Sequence, residues 1–187
     1  MDYIGEKYRE LFTKPAEELA PWLLGKIICH QVHDEYGDFV ICGRITATEA
    51  YRAKDDVTDS TRERSKINSQ HKNGGHLYVA KVMRVKDGCR FDIVANREGI
   101  GESVLIRGID PYEEGPCIAA WALNISQALD GIDLLTPAKG NGIWIRSDNT
   151  EIIQNDPTPR KNLGENASKE SKEALLRFSI KEIRFPK

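Results

Sequence analysis

From Phe39 to Tyr51 the chain alternates apolar and polar residues with a period of two, the spacing that sorts a β-strand into two faces. Phe39, Ile41, Gly43, Ile45, Ala47, Glu49 and Tyr51 form the more apolar set, and Val40, Cys42, Arg44, Thr46, Thr48 and Ala50 the other. That phase predicts Glu49 on the inward face, beside Tyr51. "KIICHQV" predicts a preceding strand, joined through the turn-like "HDEYGD". "HLYVAKVMRV", "CRFDIVAN" and "SVLIRGI" predict three more, the first two forming a hairpin around "KDG". "GNGIWIRS" and "EALLRFSIKEI" predict late strands.

Helical spacing is rarer. "TKPAEELAPWLLGK" predicts a short helix capped by Thr13, with Pro15 in its first turn, Gly25 at its end and a kink or split at Pro21. A second helix is predicted where Ile118, Trp121, Ala122, Ile125 and Leu129 fall on one stripe. "DDVTDSTRERSKINSQHKNGG" and "NDPTPRKNLGENASKES" carry no sustained apolar period and read as surface loops. Together these elements predict an α+β fold: one domain over residues 1–187, a mixed, largely antiparallel sheet with few helices and long loops.

Composition narrows the classes. The chain has 187 residues, 40% hydrophobic and 30% charged, an ordinary globular balance. No apolar run reaches the roughly 20 residues that cross a bilayer, and "MDYIGEKYRE" lacks a signal-peptide core, so the expectation is a cytoplasmic protein with no membrane partner. Cys29, Cys42, Cys89 and Cys117 have no metal-type spacing and are expected to be buried free thiols. The net charge of −2 argues against a nucleic-acid partner, but its distribution does not: residues 52–97 hold eleven Lys/Arg and six Asp/Glu. A locally basic segment suits phosphate as well as it suits a solvated face.

Few residues suggest chemistry. His30 and His33 lack an accompanying carboxylate signature and are expected at the surface, as are His71 and His76 in their loop; no metal or other cofactor is implied. "GIG" at 99–101 has neither the context nor the lysine of a phosphate loop. Glu49 has two readings: a structural carboxylate paired with a buried arginine, Arg107 in "LIRGIDP" being the strand-borne candidate, or a functional group.

The order of pieces carries a resemblance. "LAPWLLGKII", "GRITATEAY", "GGHLYV", "VLIRGIDPYEEG", a helix with "ALNIS" and a terminal "LRFSIKE" run in the order of the alkyladenine (3-methyladenine) DNA glycosylase family, which this chain resembles from about Leu19 onward. The "TEAY" and "LIRGIDP" strands are its specific parts. The resemblance implies that Glu49 is the general base activating water against C1′ of a flipped nucleotide, that Arg107 helps hold that water, and that Tyr51 is an aromatic wall of the pocket. It implies a monofunctional enzyme without cofactor, acting as a monomer on double-stranded DNA that holds a damaged purine.

The departures from that family are specific. Asp59 stands where members carry a histidine, Ala80 where they carry the second aromatic wall, and Asp92 where an asparagine faces the flipped base. Met83 falls on or near the intercalating tyrosine, between Lys81 and Arg84, which are placed to meet the DNA backbone, and "PCIAAW" replaces a Gly-Lys-Leu segment. The resemblance thus implies excision of alkylated purines of the 3-methyladenine and 7-methylguanine type. Two charged aspartates would favour cationic bases. The rewritten pocket leaves two other readings open: a damaged-DNA-binding paralogue without turnover, or a glycosylase for a bulky adduct or a nucleoside.

Overall fold

The strands predicted around "HDEYGD" form a long antiparallel hairpin in the computed structural model, which describes residues 2–55, 68–70, 72–82, 85–136, 142–148, 150–165 and 167–185. They are β2 (Ile27–Asp34) and β3 (Gly37–Tyr51), preceded by a short β1 (Asp2–Tyr3). β4 (Leu77–Lys81), β5 (Cys89–Ala95) and β6 (Glu102–Asp110) follow, then β7 (Ile143–Ser147), β8 (Glu151–Gln154) and β9 (Arg177–Arg184). Helices described in full include α1 (Arg9–Phe12), α2 (Ala16–Leu23), α3 (Pro116–Ala122) and α4 (Lys169–Glu173). Among the described residues all strand pairs are antiparallel, in the order β1-β7-β2-β3-β6-β5-β4, with β9 joining β3 and β8 joining β9. The fold is α+β, as the pattern predicted.

The core gathers Phe12, Leu19 and Leu23 with Ile45, Ala50, Phe91, Ile93, Val104, Ile106 and Ile109 from the central strands. α2 passes through Pro21 without splitting and stops before Gly25, whose φ of +79° lies in the left-handed region. Thr13 does not cap it; Pro15 holds the N-cap position, and the Thr13 hydroxyl donates to the Glu10 carbonyl in the turn before.

Four further expectations differ from the structure. The phase of β3 is not constant: Ile45 pairs with Ile109, Ala47 with Gly108 and Thr48 with Ile106, so a register shift on each strand inserts an odd step. Beyond it Thr48 and Ala50 turn toward the core, the Thr48 hydroxyl donating to the Ala20 carbonyl, and Glu49 turns to the opposite face from Ile45. Gly108 permits this crossing, because a Cβ there would lie 2.5 Å from Thr46 Oγ1. Second, α3 ends at Ala122 and buries Ala119, Ala120 and Ala122, while Trp121 is 73% exposed. Asn124, with φ of 51°, closes the helix before the predicted stripe is complete. Third, Cys29 and Cys42 oppose each other across the β2–β3 ladder, 4.2 Å apart at Cα, and form a disulfide; Cys89 and Cys117 are free. Fourth, His30 is buried, its Nδ1 hydrogen-bonded to the Leu123 carbonyl, whereas His33 is at the surface beside Asp38.

Candidate active site

Because directly opposed residues of a ladder project to the same face, the register defines a row across five strands. Arg177 on β9 opposes Glu49 on β3, Glu49 opposes Leu105 on β6, Leu105 opposes Asp92 on β5, and Asp92 opposes Tyr78 on β4. A parallel row carries Tyr51, Ser103 and Val94. This is the face away from the main core. Tyr51 and Leu105 cluster there with Leu163, and Tyr78, Ala80 and Val94 form a second small cluster.

Glu49 is fully buried at the centre of the row. An ionised carboxylate out of water requires donors, and three surround it. The Lys161 backbone N–H donates to Oε1 at 2.9 Å, and the Tyr51 hydroxyl to Oε2 at 3.1 Å. Arg107 Nη1 stands farther off, 3.4 Å from Oε1 and 3.5 Å from Oε2. Arg177 Nε is 4.0 Å away and has no hydrogen-bond partner among the described residues.

Arg107 has a better partner. Its Nε donates to Glu114 Oε1 at 2.9 Å, and Glu114 also takes Arg177 and lies 3.7 Å from Lys161 Nζ. Burial would raise the Glu114 carboxyl, but hydrogen bonds from Arg177 and Arg107 outweigh it and hold the group below the ordinary carboxylate range. The pair of Glu49 with Arg107 expected from a structural reading is present at 3.4 Å, but Glu114 is the closer carboxylate. Arg107 is thus shared between two carboxylates, and the shortest bonds to Glu49 come from a backbone amide and a phenol.

The Lys161 amide is itself fixed from below. Arg160 is buried, with Nη1 donating to Asp55 Oδ2 at 2.6 Å and to the Ala50 carbonyl at 2.9 Å, and its guanidinium lies 4.7 Å from the Tyr51 ring centroid. One arginine thus ties the 155–165 segment to the end of β3 and packs against the aromatic wall.

The structure brings Glu49, Tyr51, Arg107, Ala80 and Asp92 to one face. Lys81 is exposed at the end of β4. Asp59, Met83 and Arg84 lie outside the described residues. Asp92 is fully buried, accepting from Arg90 Nη1 at 2.8 Å and from the Ser103 hydroxyl at 2.9 Å. The sequence reading missed Arg90, Glu114, Arg160, Lys161 and Arg177. Glu114, in "PYEEG", and Arg177, in "LRFSIKE", fall within the motifs that carried the resemblance.

An antiparallel curled sheet carries a buried, donor-held carboxylate among arginines, groups chemically suited to proton transfer beside an anionic ligand. Residues 10–184 match the family model for methylpurine-DNA glycosylase, and the chain belongs to that family. A Clostridium novyi protein is 26% identical, covering 95% of this chain and 96% of its own. A Legionella pneumophila protein is 30% identical over 93% of both chains, and a Francisella tularensis protein 29% identical over 84% of this chain and 88% of its own. Each carries the name "Putative 3-methyladenine DNA glycosylase".

Proposed function

We propose that the chain is a monofunctional glycosylase that hydrolyses the N-glycosidic bond of damaged purines flipped out of double-stranded DNA, leaving an abasic site. Glu49 carries the proposal: a buried carboxylate, held by the Lys161 amide and the Tyr51 hydroxyl, whose neighbouring arginine is shared with Glu114. Family membership and the names of the relatives support it.

In this reading a water beside Glu49 gives its proton to the carboxylate as its oxygen bonds to C1′. The C1′–N bond breaks, and its electron pair leaves with the base. Arg107, 3.4 Å from Glu49, orients the water and offsets the charge of the DNA strand. Tyr51 stacks on the flipped base, its ring backed by Arg160. Lys81 and Arg84 meet phosphates, Met83 enters the stack as an apolar wedge, and Asp59 faces the base. The enzyme acts as a cytoplasmic monomer.

Single-turnover base release from duplexes carrying 3-methyladenine, 7-methylguanine, hypoxanthine or 1,N6-ethenoadenine, run beside the free nucleosides, tests this. Release from duplex alone is the expected result. Tight binding to damaged duplex without release would establish a binding paralogue instead, and cleavage of free nucleosides would establish a nucleosidase.

A further inference from the structure

Lys161 brings two donors of different kinds to the site. Its backbone N–H donates to Glu49 Oε1 at 2.9 Å, while its side chain is 55% exposed and sets Nζ 3.7 Å from Glu114 Oε1. That contact is longer than a hydrogen bond, and Nζ makes none among the described residues. Glu114 is already held by Arg107 at 2.9 Å and by Arg177. Three cations, Arg107, Arg177 and Lys161, thus face two carboxylates, Glu49 and Glu114, and leave one positive charge in excess. Arg160 adds nothing to that excess, because Asp55 neutralises it. Among the three cations the Arg107 and Arg177 side chains are 9% and 12% exposed, so the excess lies at the solvent edge, on Lys161, where an anion can reach it.

We propose that the Lys161 ammonium takes a DNA phosphate flanking the flipped nucleotide and so fixes the sugar against Glu49. The inference rests on the glycosylase reading above. Attack at C1′ requires the sugar to lie against Glu49, and the two flanking phosphates are bonded to that same sugar. A phosphate therefore lies within one sugar's width of the carboxylate. The Lys161 amide is bonded to that carboxylate, so the flexible four-carbon stem starts beside the base and sweeps the same zone. Turning from Glu114 to the phosphate costs little, because a half-exposed pair at this distance is worth little. Glu114 keeps its two arginines, and the phosphate offers a full negative charge that Lys161 need not share with them.

Amide and ammonium belong to one residue, so the carboxylate and the DNA strand are held in one frame. A phosphate contact carries no sequence information; it sets register and orientation. Here the register it sets is that of C1′ relative to Glu49, and alignment of reacting groups lowers the barrier of the chemical step. Lys161 touches neither the attacking water nor the departing base. Its contribution therefore falls on duplex affinity and on release rate together, and is the same for every lesion.

Lys161→Ala tests this, because it removes the ammonium and keeps the amide that holds Glu49; Lys161→Gln, neutral but with most of the stem, guards against a change in folding. Binding to a duplex with a tetrahydrofuran abasic analogue is expected to weaken roughly 3- to 10-fold at low salt in both variants. The slope of log K against log salt should become shallower by about 0.9, the signature of one lost phosphate contact. Lys161→Arg should retain most of both. A methylphosphonate is then placed at each flanking phosphate in turn. At one of them wild type should lose the same factor, and Lys161→Ala nothing further, in binding and in single-turnover release of whichever of the four lesions is released fastest. Losses that add in full at both flanking phosphates, or unchanged binding and release in the folded Lys161 variants, would overturn the inference while base release by wild type upholds the glycosylase reading. Release of no base from any duplex would overturn both.

Discussion

Glu114→Gln separates the two roles that the arginine cluster plays. In the native site Glu114 takes Arg107 Nε at 2.9 Å and also takes Arg177, while those arginines stand 3.4 and 4.0 Å from Glu49. Glutamine keeps the shape but removes the charge, leaving Glu49 as the nearest carboxylate to both guanidiniums. Charge-assisted hydrogen bonds are worth about 1.5–3 kcal/mol; with the Glu114 side chain 31% exposed, solvent screening brings the expected loss of stability to about 1–2 kcal/mol. The effect on rate is separate. A unit charge about 4 Å from a carboxylate is worth at most roughly 4 kcal/mol at an effective dielectric of 20. With Glu114 uncharged, Arg107 and Arg177 turn more of their charge to Glu49, and a carboxylate held by closer donors takes a proton from water less readily. Single-turnover base release at neutral pH should fall by roughly 3- to 10-fold, well short of the loss expected when the base itself is removed. The folded-state carboxyl of Glu114 lies below its ordinary range, so its stabilisation is full above the unfolded value and is lost as pH falls through the folded one. The variant should therefore lose less stability than wild type on acidification. An unchanged rate of base release, with only the melting temperature lowered, would refute the claim that Glu114 draws Arg107 away from the base.

Three further outcomes follow from packing and charge. Asp148 receives two bonds from Arg44, at 2.6 and 3.1 Å, and side-chain bonding to Arg44 holds its carboxyl far below the usual range; Asp148→Asn should cost roughly 1.5–3 kcal/mol near neutral pH and progressively less in acid, by denaturant melts. Gly108→Ala would set a Cβ 2.5 Å from Thr46 Oγ1 and 3.2 Å from Ala47 Cβ, so it should lose about 1–3 kcal/mol and slow base release by displacing Arg107; wild-type stability would refute the account of the β3–β6 crossing. Trp121→Ala should change stability by no more than about 0.5 kcal/mol, because the ring is largely in solvent and touches Tyr112 edge-on; a loss of several kcal/mol would restore the stripe predicted from helical spacing.

Local signals made much of the fold legible. Alternation placed β2 to β6 within a few residues, and "KDG" marked the β4–β5 turn, where Asp87 has φ of 55°. Alternation failed where two strands interact: the shifts at Ala47 and Gly108 belong to the β3–β6 pair, and neither strand alone records them. The cysteine pair needed the hairpin register, which sets Cys29 opposite Cys42. Glu49 stood out because a carboxylate interrupts an apolar strand, but the groups that hold it come from elsewhere. Lys161 and Arg160 lie in a polar segment without periodicity, and their positions depend on contacts more than a hundred residues away along the chain. Arg90 was hidden for another reason: an arginine on a strand reads as a solvated residue until its face is known to be enclosed.

The central claim is that Glu49 performs the chemistry. Glu49→Gln preserves side-chain size and leaves an oxygen to accept from the Lys161 amide, but it takes no proton from water. Single-turnover excision from a duplex bearing 7-methylguanine, with melting temperatures measured beside it, should show base release by the wild-type protein and a loss of about 10²–10⁴-fold in the variant, with folding and duplex binding retained. Glutamine at the wild-type rate, in a folded and DNA-bound protein, would contradict the account.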